Sequence, residues 1–353
     1  MRLAALRRHR YSIPLTRPWQ DARGIVTLRE GWLVCIETKD GLRGWGEAAC
    51  LPALGTGLAR DIETALAWAA ETLVGLSPGE ALSRLDIGEA AQRLASAPAS
   101  RCALEFALLD LQARGAGVPL YRWLRAEAKS SVAVNASIGG LDVDTGDRLA
   151  AAAQAGFPVA KLKLGLAAAA EEWPMLQRLL ASRPRDCALR LDVNGAWSMP
   201  VAERLLPELC GQGIEALEEP CAAADDATLA RWQAGLDYSL AVDESLPGRD
   251  DTVPLPVQRQ VLKPMLLGGP RRAMVLAARP GISSVVSSTL ETATGLWACA
   301  HLAAAVSAPG APRLAHGLDT GGWLTRLLGP ELPAGGRIML GESPGLGFEP
   351  VLS

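Results

Sequence analysis

Eight short apolar segments occur between about residue 132 and residue 320, and stretches rich in alanine and leucine separate most of them. Strands that alternate with helices in this way predict parallel pairing through helical crossovers. Eight units in so short a chain predict an α/β fold, a compact (β/α)8-type TIM barrel in which the unit between the fifth and sixth strands is degenerate. The strand candidates are VAVNASIG, AKLKLG, ALRLDVN, IEALEEP, LAVDES, QVLKPML, SSVVSSTL and PRLAHGLDT.

An open, doubly wound sheet is the alternative arrangement of such units. That fold usually carries a glycine-rich phosphate loop after its first strand. The sequence contains neither GxGxxG nor GxxxxGK. The closed barrel is therefore the favoured interpretation.

The N-terminal part of the chain has a different texture. Residues 1–57 are rich in strand-forming residues, and GWLVCIETKDGLRGWGEA has two apolar runs separated by a Lys-Asp-Gly turn, which predicts a hairpin. Helical patterns follow at 58–76 and 100–113. We expect an α+β capping domain over residues 1–125, a barrel over 126–320, and a tail at 321–353 that packs back on the capping domain.

Polar residues interrupt six successive strand candidates at spacings of 29, 26, 25, 20 and 25 residues. In a barrel the C-terminal ends of all strands face a common mouth, so residues distant in sequence converge there. The regular interval therefore predicts one site. Its members are Lys163, Asp192, Glu218, Asp243, Lys263 and Ser288.

Three of these residues are acids on neighbouring strands: Asp192, Glu218 and Asp243. Buried carboxylates are costly unless they are paired or bound to a cation. Oxygen ligands without His or Cys favour Mg²⁺ or Mn²⁺. Each acid alone fits a turn or a helix cap equally well, but the three at barrel spacing predict a metal site.

Lys161 and Lys163 are two residues apart on one strand, so both point to the same face. Adjacent ammonium groups lower each other's affinity for protons, and such a lysine can act as a general base. An exposed edge strand is the ordinary alternative, but a closed barrel has no edge. Lys263 repeats the pattern across the mouth. Lysines and metal together would stabilise the enediolate left when a proton leaves the carbon beside a carboxylate.

These residues and their surroundings resemble the enolase superfamily, in the subgroup of muconate cycloisomerases, N-acylamino acid racemases, dipeptide epimerases and o-succinylbenzoate synthases. The resemblance extends over nearly the whole chain, up to Asp319. It implies a barrel with a capping domain and a Mg²⁺-dependent proton abstraction. The matching segments are ALEFALLDLQAR, AKLKLG, LRLDVNGAW, LEEPC, VDESL and VLKP.

Within the subgroup the chain is most similar to o-succinylbenzoate synthases, through LEEPC, VDESL, VVSSTLETATGL and HGLDT. That resemblance implies a lyase that dehydrates a succinyl-substituted hydroxycyclohexadiene carboxylate in menaquinone biosynthesis. It implies that Lys163 abstracts the proton, Lys263 stabilises the enediolate and Lys161 tunes Lys163. Substrate contacts are expected from Arg190, Ser288 and Asn194.

Other functions remain open. An N-acylamino acid racemase or a dipeptide epimerase would use the same lysines, although the epimerase's Asp-x-Asp pair is reduced here to Asp319 followed by Thr320 and Gly321. A Schiff-base aldolase with Lys263 as nucleophile and a non-catalytic binding barrel are alternatives from other classes.

Bulk composition limits the partners and the compartment. The net charge of −3 gives no basic field for nucleic acid, and the seven cysteines form no CxxC pair. The N-terminus lacks the apolar core of a signal peptide, and the longest apolar stretch is too short to span a bilayer. We expect a cytoplasmic enzyme with a small-molecule carboxylate substrate and with no nucleic-acid or membrane partner.

Overall fold

The computed structural model describes residues 1–21, 24–307, 314–333 and 335–352. Its N-terminal part is an antiparallel three-stranded sheet followed by helices. The predicted hairpin with its Lys-Asp-Gly turn joins the second and third strands. The elements are β1 (Leu3–Asp21), β2 (Gly24–Thr38), β3 (Arg43–Cys50), α1 (Ala59–Thr72), α2 (Pro78–Arg84), α3 (Gly88–Ala95), α4 (Pro98–Gly115) and α5 (Leu120–Leu124).

The barrel sheet contains seven parallel strands that pair with their neighbours in chain order. Helices connect most of them, so the predicted α/β barrel with a capping domain is confirmed. The strands are β4 (Ser131–Ala133), which precedes the sheet, and then β5 (Ala136–Gly140), β6 (Val159–Lys163), β7 (Ala188–Asp192), β8 (Ile214–Glu218), β9 (Ser239–Val242), β10 (Arg259–Leu262) and β11 (Ser283–Val286). The helices are α6 (Thr145–Gln154), α7 (Ala169–Ser182), α8 (Met199–Glu208), α9 (Asp226–Ala234), α10 (Pro264–Leu267), α11 (Pro270–Ala277) and α12 (Ala293–Val306).

The eighth strand candidate closes the barrel through very few residues. His316 forms a parallel bridge with Val134, and Gly317 forms one with Ser287. The two bridges connect the residue directly after β11 with a residue two positions before β5, although the candidate was expected to form a longer strand. Residues 312 and 313 of that candidate lie outside the described residues.

The unit between β9 and β10 is degenerate, as the sequence predicts. Residues 243–258 contain one 3₁₀ helix, Leu246–Gly248, and no α-helix. Barrel strands five and six, β9 and β10, are therefore joined by a 16-residue segment without an α-helix.

Glycines allow β3 to approach α4 closely. A Cβ atom on Gly46 would lie 2.0 Å from the carbonyl oxygen of Ala103, and one on Gly44 would lie 2.1 Å from that of Ala107. Most of α4 is buried, including the charged side chains of Glu105 and Asp110. This packing anchors the sheet of the capping domain on its central helix.

The C-terminal segment contacts both parts of the molecule. Its strand β12 (Arg337–Met339) pairs antiparallel with β4, and Leu324 forms a bridge with Leu15 of β1. A 3₁₀ helix, Gly321–Trp323, lies beside β1. No helix in the described ranges is long and apolar enough to cross a membrane.

Candidate active site

The C-terminal ends of the barrel strands carry the predicted polar residues. Lys161 and Lys163 lie on β6, Asp192 ends β7 and Glu218 ends β8. Asp243 and Lys263 directly follow β9 and β10, and Ser288 lies two residues beyond β11. Because these strands are parallel neighbours, the side chains meet at one end of the barrel.

The three acids form one buried group. One carboxylate oxygen from each of Asp192, Glu218 and Asp243 lies within 4.8 Å of the others, and the residues are 2%, 1% and 2% exposed. The Oδ1 atom of Asp243 is buried without a hydrogen-bond partner. An all-oxygen donor set with an unsatisfied carboxylate oxygen fits a hard divalent cation such as Mg²⁺.

The surroundings shift the pKa values of two of these acids in opposite directions. Burial, together with the negative charges of Glu244 and Glu218, raises the pKa of Asp243 to about 8 despite the neighbouring Lys263. Burial also acts to raise the pKa of Asp192, but the ammonium groups of Lys161, Lys163 and Lys263 outweigh it and hold that pKa below its usual range. A cation at this position would relieve the repulsion felt by Asp243.

Lys161 lies between two of the acids. Its Nζ atom is 2.9 Å from Oδ2 of Asp192 and 2.5 Å from Oε2 of Glu218. Burial lowers the pKa of Lys161, but the carboxylates of Asp192, Glu218 and Asp243 raise it by more. At Lys161 the carboxylates therefore dominate, and this lysine keeps its proton.

Lys163 and Lys263 border the same cavity from different strands. The Nζ atom of Lys163 donates to Oδ1 of Asn194 at 3.0 Å and lies 5.0 Å from the centre of the Trp19 ring. The Nζ atom of Lys263 donates to Oδ2 of Asp243 at 2.6 Å. Burial acts to lower the pKa of Lys263, but Asp243 and Glu244 raise it overall, so this lysine stays protonated.

Asn194 connects the base side of the site with the acid side. Its backbone adopts a left-handed conformation, with a φ of 49°, and its N–H donates to Oδ1 of Asp192 at 3.1 Å. Its side-chain Nδ2 donates to Oε1 of Glu244 at 2.9 Å. Asn194 thus orients Lys163 from within the cavity wall.

Glu219 and Glu244 are functional candidates that the sequence reasoning missed. One carboxylate oxygen of Glu219 accepts from the N–H of Asp243 at 2.7 Å and from the N–H and hydroxyl of Ser245 at 3.0 and 2.7 Å. It therefore fixes the loop that carries a predicted ligand. The signal for both lay in the acidic doublets, Glu218-Glu219 and Asp243-Glu244, because only one member of each was needed as a ligand.

Arg190 lies beneath the acids, outside the cavity lining. Its Nη1 atom donates to Oδ1 of Asn135 and its Nε atom to Oε2 of Glu215, both at 3.0 Å. A register shift between β7 and β8 turns Glu215 toward this layer, where Arg259 also bonds it. Arg190 can thus influence the site through Asn135, which does line the cavity.

The cavity above these residues has a volume of about 660 Å³, including its open mouth. Ser288 lines it, and its hydroxyl lies 2.6 Å from that of Thr320. From the sequence, Trp19 and Arg23 are expected to contact substrate from a lid formed by the N-terminal part of the chain; Trp19 lines the cavity, and Arg23 lies outside the described residues. The lining residues include Trp19, Leu51, Leu54, Asn135, Ser137, Ser287, Thr289, Leu290 and Asp319 besides the three lysines, Asp192 and Glu244.

The fold and the site define a capped α/β-barrel enzyme in which lysines surround three buried acids that could hold a metal ion. The model for the enolase C-terminal domain-like family matches residues 144–352, and that for the mandelate racemase / muconate lactonizing enzyme N-terminal domain matches residues 6–124. The chain therefore belongs to the enolase superfamily.

Individual relatives carry out different reactions. An L-Lys-D/L-Arg epimerase from Methylococcus capsulatus is 30% identical, with 99% of each chain covered. An o-succinylbenzoate synthase from an Enterobacter species is also 30% identical, covering 88% of this chain and 89% of its own. A Mg-containing dipeptide epimerase structure from M. capsulatus superposes with a TM-score of 0.85 at 28% identity, covering 98% and 99%. Epimerases and o-succinylbenzoate synthases are thus equally close to this chain.

Proposed function

We propose that the chain is a Mg²⁺-dependent o-succinylbenzoate synthase. It would dehydrate 2-succinyl-6-hydroxy-2,4-cyclohexadiene-1-carboxylate to o-succinylbenzoate. The observation that carries the proposal is that Lys163 and Lys263 border one cavity beside the acid triad. Support for this substrate comes from the motif resemblance and from the 30% identical synthase.

Asp192, Glu218 and Asp243 would hold the metal, with Glu219 positioning Asp243. When bound, the cation supplies positive charge beside the substrate carboxylate, where negative charge accumulates as the proton leaves. The residues of the chain carry out the remaining steps.

Lys163 acts as the base in this mechanism. Its neutral amino group takes the proton from the carbon beside the carboxylate, and the C–H electrons move into an enediolate. Lys263 keeps its proton, because Asp243 and Glu244 raise its pKa, and donates a hydrogen bond to the enediolate. Lys163 then returns its proton to the departing hydroxyl, so that one C–H and one C–O bond break and water leaves.

An epimerase is the second candidate, which is supported by the 30% identical epimerase and by the position of Asp319, although Gly321 stands at the place of the second acid of the Asp-x-Asp pair. Its carboxylate lines the cavity and accepts from the N–H of Ser137 at 3.0 Å. A carboxylate at this place suits the ammonium group of a dipeptide. Lys163 and Lys263 would then each exchange the α-proton from its own side.

Purified protein should form o-succinylbenzoate when Mg²⁺ is present and should not form it when Mg²⁺ is removed. Lys163→Ala should lower kcat about 10²- to 10⁴-fold, because a positioned general base contributes that much. The exposed Lys129→Ala is the matched control and should leave kcat unchanged. Activity that survives exhaustive chelation, or a fully active Lys163→Ala variant, contradicts the proposal.

Companion assays separate the alternatives. Deuterium exchange into dipeptides or N-succinyl amino acids in heavy water, without o-succinylbenzoate formation, identifies an epimerase or racemase. Borohydride trapping of substrate on Lys263 identifies a Schiff-base enzyme.

A further inference from the structure

A fully buried arginine on β2, Arg29, joins two separate parts of the cavity wall. Its Nε atom donates to the carbonyl of Leu290 at 3.1 Å, and its Nη2 atom to that of Thr289 at 3.2 Å. Its Nη1 atom donates to the carbonyl of Cys50 at 2.5 Å. Three backbone carbonyls from two distant segments thus depend on one guanidinium.

Both segments present apolar side chains to the cavity. Leu290 comes from the loop after β11, and Leu51 and Leu54 follow β3 in the capping domain. These three leucines are here called the leucine wall. The cavity's lysines and acid triad are instead carried on the barrel strands.

The loop of Leu290 does not hold its shape by local preference. Leu290 has a φ of 63°, in the left-handed region that side chains other than glycine rarely adopt. Such a conformation persists only where its surroundings impose it. Arg29 binds the carbonyls of this residue and of the one before it.

A second buried group fastens the far end of the same loop. Oε1 of Glu47 accepts from the N–H of Thr292 at 2.9 Å, and Oε2 accepts from that of Gly295 at 2.8 Å, at the start of α12. Burial and the negative charges of Glu47 and Glu291 raise the pKa of the buried Tyr11 phenol, and the charge of Arg29 lowers it, so these three charged groups surround the phenol. The capping domain therefore holds the loop at both ends.

We infer that Arg29 is a positioning residue for substrate selection. It ties the loop of Leu290 to that of Leu51, and the leucine wall so formed receives an apolar part of the substrate remote from the reacting carbon. This inference rests on the proposed function for the location of the substrate, and it adds how the substrate is selected.

Arg29→Lys is the primary test, because lysine keeps the charge but cannot hold three carbonyls in one plane. We expect KM for the cyclohexadiene carboxylate to rise about tenfold or more, with kcat within about threefold, because the lost contacts act on binding alone. Arg114→Lys is the control. Arg114 is also largely buried and donates to the carbonyl of Phe348, but it does not line the cavity.

A second pair of variants removes the risk that a buried substitution merely unfolds the protein. Leu290→Gly suits the left-handed backbone but removes a side chain from the leucine wall, so KM should again rise while the fold persists. Leu328→Gly is matched to it, since Leu328 is buried with a φ of 55° and does not line the cavity. Its KM should not change.

Amide hydrogen exchange gives a reading that requires no substrate. In Arg29→Lys, exchange should accelerate together in residues 287–292 and 50–54, but not in Arg114→Lys. If exchange in these segments of Arg29→Lys stays at the wild-type rate, the inference is overturned. It is also overturned if Arg29→Lys and Leu290→Gly both keep the wild-type KM. If the wild-type protein forms no o-succinylbenzoate, but exchange in residues 287–292 and 50–54 accelerates together in Arg29→Lys, the proposed function is refuted. The role of Arg29 in fastening the two segments is then still supported.

Discussion

At the scale of single residues, two buried histidines are held in their neutral form outside the acid and lysine cluster. The Nδ1 atom of His301 accepts from the N–H of Tyr121 at 3.1 Å, and that of His316 accepts from the N–H of Val286 at 2.9 Å. Burial lowers the pKa of His301 to about 4. Burial and Arg190 lower the pKa of His316 to about 3. Both rings therefore serve as packed hydrogen-bond acceptors.

This arrangement predicts acid sensitivity. The pKa of each histidine is lower in the folded state than the unfolded value of about 6.5, so the unfolded chain binds the extra proton first. The free energy of unfolding should be unaffected by these groups above pH 6.5 and fall as pH drops toward 4, by roughly 2 kcal/mol per histidine at pH 5. Urea denaturation at pH 7 and pH 5 measures it.

His301→Asn provides the control, because the asparagine oxygen can still accept from Tyr121 but cannot be protonated. The variant should lose about 2 kcal/mol less stability than wild type between the two pH values. An equal loss in both proteins would show that His301 is not neutral in the fold.

Residue identity and spacing were sufficient to predict that the three acids meet at one place, but they did not predict the direction of every side chain. Asp192, Glu218 and Asp243 could be found because three acids that interrupt apolar strands at barrel intervals would be costly to bury without a cation. Arg190 was expected to contact the substrate but does not line the cavity. A register shift in the neighbouring strand supplies Glu215 as its partner. No local pattern in the sequence reveals such a shift.

At the scale of elements, the contact between β3 and α4 depends on missing side chains. Gly46→Ala should lower the free energy of unfolding by about 3 kcal/mol, because the added methyl group would meet the backbone of Ala103 and force the strand from the helix. Gly146→Ala in α6 is the control. A Cβ there meets nothing within 4 Å, so this change should add about 0.5 kcal/mol of stability.

Thermal or urea denaturation of both variants measures the difference. Should Gly46→Ala match wild type, the strand would have to shift without cost, and the close approach would not be a structural requirement.

Elements with strong periodicity were predictable and weakly paired ones were not. The patterns at 58–76 and 100–113 correspond to α1, Ala59–Thr72, and α4, Pro98–Gly115. The short helix α2 was missed, although Ser77 and Glu80 form a capping box at its start. The barrel's closure through His316 and Gly317 was overestimated as a full strand, because an apolar run shows that a segment is buried but not how many residues pair.

At the scale of the whole molecule, the proposed metal site predicts a link between metal binding and stability. If Mg²⁺ binds the ionised carboxylates of the folded chain, it should raise the free energy of unfolding by about 2.7 kcal/mol at 100 times its Kd. Asp243→Asn should abolish this gain, because it removes one of the three carboxylates of the triad. Exposed Asp186→Asn should keep the full gain.

Denaturation with Mg²⁺ and with chelator, at a pH above 8, tests this coupling. Equal stabilisation of wild type and Asp243→Asn would mean that Mg²⁺ acts elsewhere on the protein.

Lys161, which lies between Asp192 and Glu218, has a consequence for folding in the absence of a metal ion. Three like charges crowded at the end of a newly closed barrel would tend to spread the strands that carry them. An internal ammonium holds two of these charges in register, so the chain completes its fold without waiting for metal. A metal ion would then bind to a preformed site, and its release would leave the strands that form the site in place.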